Sequence, residues 1–358
     1  MFAAKTKLLP YLPPLGTLNQ IPIPVCHPIN KENLDYWCQM MCEYDKRISA
    51  KYPEYIGFCS YIAETFRVNL QHISHLEFVE QITRVANELF KRVKELAHLG
   101  YKFVFITSST KKSNYWVYEL IMDILEPQLS RDPDINQVIY VSPGTQTDSL
   151  GDYYQTTHQD RFISTYKLSK LLKADTQPKI MFIYPDDMSY SGTQLFTGIY
   201  HIDELTQDTD GGISTTKGNN SCNIIHYPCL GYITNLARQQ LGQISNIEFP
   251  KETETILVLD ELLSINPTTN QQQINISNLD KIFETLGLSV GLQPKHALIY
   301  FDHKVADYVS VPEKIINYGW YPGSMDRCVS NSLVSNPDKD YFCSTRMAIR
   351  PCYKFAPK

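Results

Sequence analysis

Short runs of apolar residues alternate with helical segments along the middle of the chain, and this alternation limits the fold more than any other feature. Each run is too short for a buried helix and is rich in β-branched or aromatic residues, which is typical of an interior strand. The alternation predicts right-handed crossovers, and therefore an α/β fold with a mostly parallel central sheet and flanking helices. The predicted strands begin at residue 102 and lie at 137–143, 179–187, 223–227, 255–260 and 296–301, with helices at 114–126, 163–173, from 193 and at 277–286.

The first part of the chain has a helical pattern instead. Ser74 and Glu77 form a capping-box pattern, apolar residues then recur every three or four positions, and Gly100 is placed to end the helix. A weaker helix is predicted at 31–50, after a Pro-rich tract that indicates an extended arm. The predicted organisation is an N-terminal arm and helical region at 1–98, then an α/β core with polar insertions and an irregular C-terminal portion at 99–358.

Composition excludes several classes of protein. The chain has 358 residues, of which 43% are hydrophobic and 20% charged, so it can fold around a sizeable core. Its net charge of −5 argues against a broadly basic surface for nucleic acid. No apolar run approaches the ~20 residues of a membrane span, and prolines interrupt the start of the chain before a secretion signal can form. We therefore expect a cytoplasmic protein without a membrane or nucleic-acid partner.

The chain has nine cysteines, an odd number, scattered along its length. Only Cys38 and Cys42 are close together, and without a second pair or a nearby histidine their spacing is poor for zinc. The sequence therefore predicts buried free thiols, and a reducing compartment rather than an oxidising one.

The segment from Ile180 to Leu195 carries the strongest functional pattern. A buried strand ends in two adjacent acids, hydroxyl residues follow around one glycine, and a helix begins. Ligands of parallel sheets bind beyond the carboxyl ends of the strands, where a helix N-terminus offers N–H groups and a dipole to a phosphate. The glycine is expected to let the backbone come close to that phosphate. The residues concerned are Asp186, Asp187, Ser189, Tyr190, Ser191, Gly192 and Thr193.

This order of residues resembles the phosphoribosyl-diphosphate signature of the type I phosphoribosyltransferases: four apolar residues, two acids, two variable positions, then a hydroxyl- and glycine-rich turn. The resemblance implies that Asp186 and Asp187 hold the ribose hydroxyls, directly or through Mg²⁺, and that residues 189–193 bind the 5′-phosphate. Segments 112–116, 299–307 and 350–354 also resemble phosphoribosyltransferase-like proteins of large DNA viruses and some intracellular bacteria. For a protein from such a source, the expected cytoplasmic location would be the cytosol of the host cell. A strand end with a solvated Asp pair and a Ser/Thr-rich helix cap is the alternative interpretation.

A second polar loop follows the first predicted strand. Residues 107–113 combine hydroxyl side chains with Lys111 and Lys112, just before the next helix. In the family that the chain resembles, the corresponding loop binds pyrophosphate, which implies a catalytic role for Lys112 and a binding role for Lys111 and Ser113. Lys112 and Ser113 also match the end of a Walker A loop, but the glycines that such a loop needs are missing. A plain polar helix start is the other interpretation.

Two further segments border the predicted cleft. Residues 144–162 form a long polar stretch at the place in the chain order where type I enzymes carry a mobile flap, and the stretch fits either a functional or a disordered loop. His303 follows the last predicted strand and is placed to reach the acceptor side, although a lone histidine is more often structural.

The function implied by the resemblance is Mg²⁺-dependent transfer of a phosphoribosyl group from phosphoribosyl diphosphate to a nitrogen acceptor. The mechanism is expected to depend on positioning and charge, because departure of pyrophosphate leaves an oxocarbenium-like ribose. The alternative is a non-catalytic module on the same fold that binds a nucleotide or phosphosugar, or that serves protein contacts. Neither the acceptor nor the oligomeric state has a signature in the sequence.

Overall fold

The structure, a computed structural model, describes residues 26–29, 31–106, 115–135, 138–142, 162–164, 168, 179–207, 223–265, 295–301 and 316–318. Within these residues it contains seven α-helices and ten β-strands. The helices are α1 (Lys31–Lys51), α2 (Phe58–Asn69), α3 (His75–Ala97), α4 (Tyr115–Leu129), α5 (Thr193–Gln207), α6 (Asn235–Leu241) and α7 (Leu259–Ile265). The strands are β1 (Cys26–Ile29), β2 (Gln71–Ile73), β3 (Lys102–Ile106), β4 (Val138–Ser142), β5 (Phe162–Ser164), β6 (Lys179–Ser189), β7 (Asn223–Thr234), β8 (Glu254–Ile256), β9 (Ile299–Phe301) and β10 (Ile316–Tyr318). None of the described helices is both long and apolar enough to cross a bilayer.

The largest sheet has six strands in the order β5-β4-β3-β6-β7-β8. β3 pairs in parallel with both β4 and β6, β4 pairs in parallel with β5, and β6 with β7, so five adjoining strands run in one direction. At the centre, Phe105 lies opposite Tyr140 on one side and Ile183 on the other. This arrangement confirms the α/β class and the parallel sheet expected from the alternation of elements.

Burial explains why the central strands consist of continuous apolar runs. Residues 180–185 of β6 and 224–234 of β7 are all buried, since both faces of a parallel sheet are covered. Each large apolar side chain buried in this way contributes roughly 1.5–3 kcal/mol of transfer free energy. One continuous core joins the sheet to α5 and α6 and includes Val104, Phe182, Ile199, Ile202, Leu230 and Leu241.

The strand order reverses between β3 and β6. From β3 the chain moves outward to β4 and β5, then returns to place β6 on the other side of β3 and continues to β7. Right-handed crossovers in these opposite directions put α4 and α5 on opposite faces of the sheet. Such a reversal leaves a crevice at the carboxyl ends of the two strands, which is where ligands of doubly wound sheets bind.

The described residues form two compact units. The sheet unit contains the described residues of 79–233 and 237–255, and the helical unit contains residues 26–78, 234–236 and the described residues from 256 onward. The sequence predicts one boundary, at residue 98, whereas each unit is built from separate stretches of the chain. The core of the helical unit joins α1 and α2 to residues far along the chain, and includes Trp37, Met41, Ile62, Phe66, Leu259, Leu298 and Tyr300.

Two short sheets belong to the helical unit. The strand predicted at 296–301 does not join the large sheet but shortens to β9, which pairs in parallel with β2, a strand that the sequence analysis does not predict. His72 lies opposite Tyr300 there, with ring centroids 4.9 Å apart. β1 and β10 form an antiparallel pair. Three-residue strands carry too little periodicity to be recognised in a sequence.

Several boundaries differ from their predictions. β6 extends two residues beyond its predicted end, to Ser189, and β7 extends to Thr234 instead of ending at 227. Phe162–Ser164 forms a strand where a helix is predicted from residue 163. The strand predicted at 255–260 covers only Glu254–Ile256 and gives way to α7, whose first turn is acidic, as suits a helix start. The helix predicted at 277–286 lies outside the described residues.

The helix predicted from the capping box is confirmed as α3. The Ser74 N–H donates to Glu77 Oε2 at 2.9 Å, and the Glu77 N–H donates to Ser74 Oγ at 3.3 Å, so two orphan donors are satisfied reciprocally. After the helix, Gly100 adopts a φ of +81° and its N–H donates to the Ala97 carbonyl at 2.9 Å.

The described cysteines match their prediction in part. Cys38, Cys59 and Cys229 are buried free thiols, but Cys42 is exposed, so the expectation of burial is wrong there. The reason is the rotation of α1, which turns Cys38 and Met41 into the core and leaves Cys42 outside it.

Candidate functional site

The candidate site is the carboxyl edge of the large sheet, where β3 and β6 end beside each other. With Phe105 opposite Ile183, β6 continues past the described end of β3 and stays paired with β7 as far as Ser189. Parallel strands deliver their following loops to the same edge. The chain therefore leaves β3 and β6 at the same edge of the sheet, and β6 leads there into residues 190–193. The parallel orientation expected of these two strands is confirmed, whereas residues 107–113 lie outside the described part of the chain.

The two candidate carboxylates differ strongly in exposure. Asp187 is 0% exposed, whereas Asp186 is half-buried. Both still lie within β6, where successive side chains point to opposite faces of the sheet. Each accepts the N–H of the next residue: Asp187 N donates to Asp186 Oδ1 at 2.8 Å, and Met188 N donates to Asp187 Oδ1 at 2.6 Å. The structure thus separates the two acids that the sequence pattern groups together, and leaves Asp186 as the one a ligand can reach.

The described carboxylates do not fit a magnesium site by themselves. Mg²⁺ is usually held in proteins by one or two carboxylates together with water and substrate phosphates. Asp186 and Asp187 cannot share one ion from opposite faces of a strand, and no group of three or more His, Cys, Asp or Glu side chains among the described residues could hold a metal ion. The described residues therefore offer the Asp186 carboxylate to an ion at this edge.

The turn after β6 leads into α5, a helix of 15 residues. Ser189 and Tyr190 are buried, Ser191 is partly exposed and Thr193 is exposed. Ser191 Oγ accepts the Thr193 N–H at 3.3 Å, and the Phe196 N–H donates to the Gly192 carbonyl at 2.8 Å. The positive end of the α5 dipole and the hydroxyls of Ser191 and Thr193 therefore lie at the carboxyl edge of the sheet, which suits an anion.

Glycine is favoured at position 192 for a local structural reason that the sequence analysis did not find. Its φ is +78°, which favours glycine. A Cβ placed there would also lie 3.1 Å from both Cα and O of Ala237 and 3.3 Å from Cβ of Gln240, because α6 packs directly against the turn. The sequence analysis attributes this glycine to the close approach of a ligand, whereas the described residues explain it by backbone conformation and contact with a helix.

A buried polar network joins β6 and α5, the two elements on either side of this turn. The Tyr184 hydroxyl is 2.9 Å from His226 Nδ1, and His226 Nε2 is 3.1 Å from Asp203 Oδ1. Tyr184 and His226 are 4% and 2% exposed, and Phe182 stacks on the imidazole at a centroid distance of 5.7 Å. Burial, and then the negative charge of Asp203, raises the pKa of Tyr184 far above its usual range. The network joins β6, β7 and α5.

Sequence reasoning missed this network because its members are far apart in the chain and match no motif. One signal was available: Tyr184 and His226 interrupt apolar runs predicted to be buried strands. Polar groups buried in a sheet are almost always hydrogen-bonded, so both side chains need partners. The sequence does not say that the two partners are each other.

Several predicted site residues lie outside the described part of the chain. These are the second phosphate-loop candidates Lys111, Lys112 and Ser113, the stretch 144–162, and His303. Their roles stay predictions.

The chain was compared with models of known protein families, with characterised proteins and with solved structures, and none of the three gave a significant match.

Proposed function

We propose that the carboxyl edge of the sheet binds phosphoribosyl diphosphate and that the protein transfers its phosphoribosyl group to a nitrogen acceptor. One observation carries this proposal. The strand order reverses between β3 and β6, and these are the two strands that lead into the hydroxyl-rich segments 107–113 and 189–193. In a doubly wound sheet this reversal is the expected ligand site.

The parts of the proposed ligand are assigned to different residues along this edge, according to the charge and hydrogen-bonding groups of each part. The 5′-phosphate is assigned to the turn 189–193 at the N-terminus of α5, where the helix dipole, the N–H groups and the Ser191 and Thr193 hydroxyls favour an anion. A ribose hydroxyl is assigned to Asp186, the accessible carboxylate. The pyrophosphate is assigned to Lys111, Lys112 and Ser113, as the sequence resemblance implies. Mg²⁺ enters as the complex of the substrate diphosphate.

The proposed reaction breaks the bond between C1 of the ribose and the pyrophosphate oxygen, and forms a bond from C1 to the acceptor nitrogen, which loses a proton. Positive charge builds on the ribose ring as pyrophosphate leaves. In this proposal Asp186 stabilises that charge and Lys112 neutralises the leaving group, so the protein contributes position and electrostatics.

Binding without transfer is the second candidate, and two observations favour it. Asp187, the second acid of the sequence pattern, is closed to solvent. A Cβ at position 192 would point toward α6 and not into an open cleft. A site with one accessible carboxylate supports a module that binds a phosphosugar or nucleotide as readily as it supports an enzyme.

Calorimetric titration of the full chain separates these candidates. The titrants are phosphoribosyl diphosphate with Mg²⁺ and ribose 5-phosphate alone, and release of pyrophosphate is assayed with candidate bases. Transfer predicts binding and release, whereas a binding module predicts binding only. If neither titrant binds, the proposed function is wrong.

Asp186→Asn tests the placement of the ribose. The variant keeps the shape of the side chain and removes its charge, so we expect affinity for ribose 5-phosphate to fall about tenfold or more, the range for a lost charged hydrogen bond. Asp260→Asn, an exposed acid of the helical unit, is the matched control and should bind as wild type does. Equal binding by Asp186→Asn and wild type would place the ligand elsewhere.

A further inference from the structure

The Tyr184–His226–Asp203 network spans the proposed phosphate turn. Tyr184 lies on β6 before the turn, Asp203 lies on α5 after it, and His226 on β7 contacts both, at 2.9 Å and 3.1 Å. The residues between Tyr184 and Asp203 include the whole of 189–193. His226 therefore contacts polar groups on both arms of this strand–turn–helix segment.

His226 is itself anchored by its backbone. Its N–H donates to the Asn246 carbonyl at 3.0 Å, and its own carbonyl accepts the Glu248 N–H at 2.8 Å. Phe182 covers one face of its ring, with an interplanar angle of 16°. The imidazole is thus fixed along the strand and across it, so it can act as a rigid reference for the groups that contact it.

The surroundings indicate a role beyond stability. Ile180 and Phe182 of β6 share an apolar core with Ile199 and Ile202 of α5, so the helix is already attached to the sheet through apolar contacts. Three polar groups placed among such residues gain little net stability over apolar side chains of similar volume, because desolvation offsets their attraction. What a directional contact adds, and an apolar one does not, is a fixed position of the helix along its axis.

We propose that His226 is a positioning residue: through Asp203, in the C-terminal half of α5, it fixes the helix along its axis, and with the helix the turn 189–193 in the geometry that binds phosphate. The inference rests on the proposed function for the identity of the ligand. A displacement of about 1 Å at a reacting or binding group is enough to weaken it strongly, so a rigid attachment ten residues away has a functional consequence.

The two contacts of the imidazole differ in kind. The Tyr184 hydroxyl and His226 Nδ1 lie at hydrogen-bond distance, and the tautomer of the ring decides which of them donates. His226 Nε2 lies 3.1 Å from Asp203 Oδ1, close to that carboxylate but without the geometry of a hydrogen bond. The ¹⁵N chemical shifts of His226 identify the tautomer directly.

The experiment uses Asp203→Ala in the full chain, because the side chain of Asp203 is 22% exposed whereas that of His226 is 2% exposed. A far-UV circular dichroism spectrum like that of wild type checks that the variant is folded. Amide hydrogen exchange of residues 190–196 is measured without ligand, and affinity for ribose 5-phosphate is measured by titration. We expect faster exchange in this segment, affinity lower by about tenfold or more, and a change in the His226 nitrogen signals, because the carboxylate beside Nε2 is removed. Asp203→Asn keeps an acceptor oxygen and should restore most of the loss.

Ile202→Val is the matched control, since it weakens an apolar contact of the same helix without touching the network. It should leave exchange at 190–196 and affinity within about twofold of wild type while lowering stability slightly. Equal effects of Asp203→Ala and Ile202→Val on both readouts would overturn the positioning role, because the network would then act only through stability.

Failure of the proposed function gives a different result. If wild type does not bind ribose 5-phosphate, the ligand assignment fails, and the exchange and ¹⁵N data still decide whether His226 positions the turn. Tyr184→Phe repeats the test from the other arm: it removes the hydroxyl that Nδ1 contacts, and unchanged exchange in both variants would contradict the inference.

Discussion

The sheet unit and the helical unit bury comparable apolar cores by different routes. In the sheet unit, four of the five neighbouring pairs of described strands join consecutive strands, the exception being β3 with β6, and these two central strands are continuous apolar runs over most of their length. In the helical unit, residues 34–70 share a core with Leu259 and Leu298, although Leu259 follows Leu70 by 189 positions (259 − 70). Local sequence patterns predict elements that pair with the next element along the chain, as most strands of the sheet unit do. They do not predict a core whose residues come from distant parts of the chain, as in the helical unit.

Two polar contacts show the opposite pattern. In the helical unit, Asp45 on α1 accepts the Cys59 N–H at 3.3 Å and the Ser60 hydroxyl at 2.9 Å, and so caps α2, a short distance along the chain. In the sheet unit, the Glu88 carboxylate accepts two backbone N–H groups at 2.8 Å, from Lys251 and Glu252. Long-range polar attachments therefore also stabilise the unit whose strands are locally recognisable.

The largest expected effect separates the two cores. Leu259 and Leu241 are both 0% exposed and belong to different cores, so Leu259→Ala and Leu241→Ala form a matched pair. Each should lower the free energy of unfolding by about 2–5 kcal/mol, through lost transfer energy and the cavity left behind. Hydrogen exchange should quicken in α1 and α2 for Leu259→Ala, and in β6 and β7 for Leu241→Ala.

Leu259→Met and Leu241→Met conserve volume and should cost less than about 1.5 kcal/mol. If either alanine variant quickened exchange equally in both regions, the two cores would unfold as one and the comparison would fail.

An intermediate effect compares two glycines. Gly192 of the sheet unit and Gly57 of the helical unit have φ values of +78° and +79°, but only a Cβ at Gly192 meets other atoms, since nothing lies within 4 Å at Gly57. Gly57→Ala should cost roughly 1–2 kcal/mol for the left-handed conformation. Gly192→Ala should cost about 1–3 kcal/mol more, because the α6 backbone cannot easily move away. Urea unfolding measures both, and equal losses would show that contact with α6 is unimportant.

The smallest effect is a dependence on pH. Burial raises the pKa of Cys59 from 9.0 to about 12. Above pH 9 the unfolded thiol ionises while the folded one keeps its proton, so the contribution to stability is complete below pH 9 and is lost as pH rises toward 12. Cys59→Ala removes this titration.

We expect the free energy of unfolding of wild type to fall with pH between 9 and 11 more steeply than that of Cys59→Ala, by up to one proton per chain. Urea unfolding at successive pH values checks this. Cys229→Ala is the counterpart in the sheet unit, where burial also raises the thiol pKa. Parallel pH profiles of wild type and Cys59→Ala would mean that Cys59 ionises in the folded protein as it does when unfolded.

The central strands could be predicted because a strand buried on both faces is apolar at nearly every position. β3, β4 and β6 begin within one residue of their predicted starts, and Asp186 lies near the carboxyl end of β6 as the pattern indicates. The short strands β2 and β5 could not be predicted, since three residues show no period, and the core shared by α1, α2 and α7 has no local signal.

The candidate site divides in the same way. The order strand, acids, turn and helix is written in consecutive residues, because each element follows from the apolar or polar character of its own positions. Three other features of the site are not written in consecutive residues: Asp186 is more exposed than Asp187, Gly192 contacts Ala237, and Tyr184, His226 and Asp203 lie together. The sequence by itself determined the α/β class and the position of the turn that follows the two acids. Only the tertiary structure decided which side chains of that segment face solvent and which contact each other. The physical reason is that burial and hydrogen bonding depend on distances between residues remote in the chain, and no periodicity within one segment records such distances.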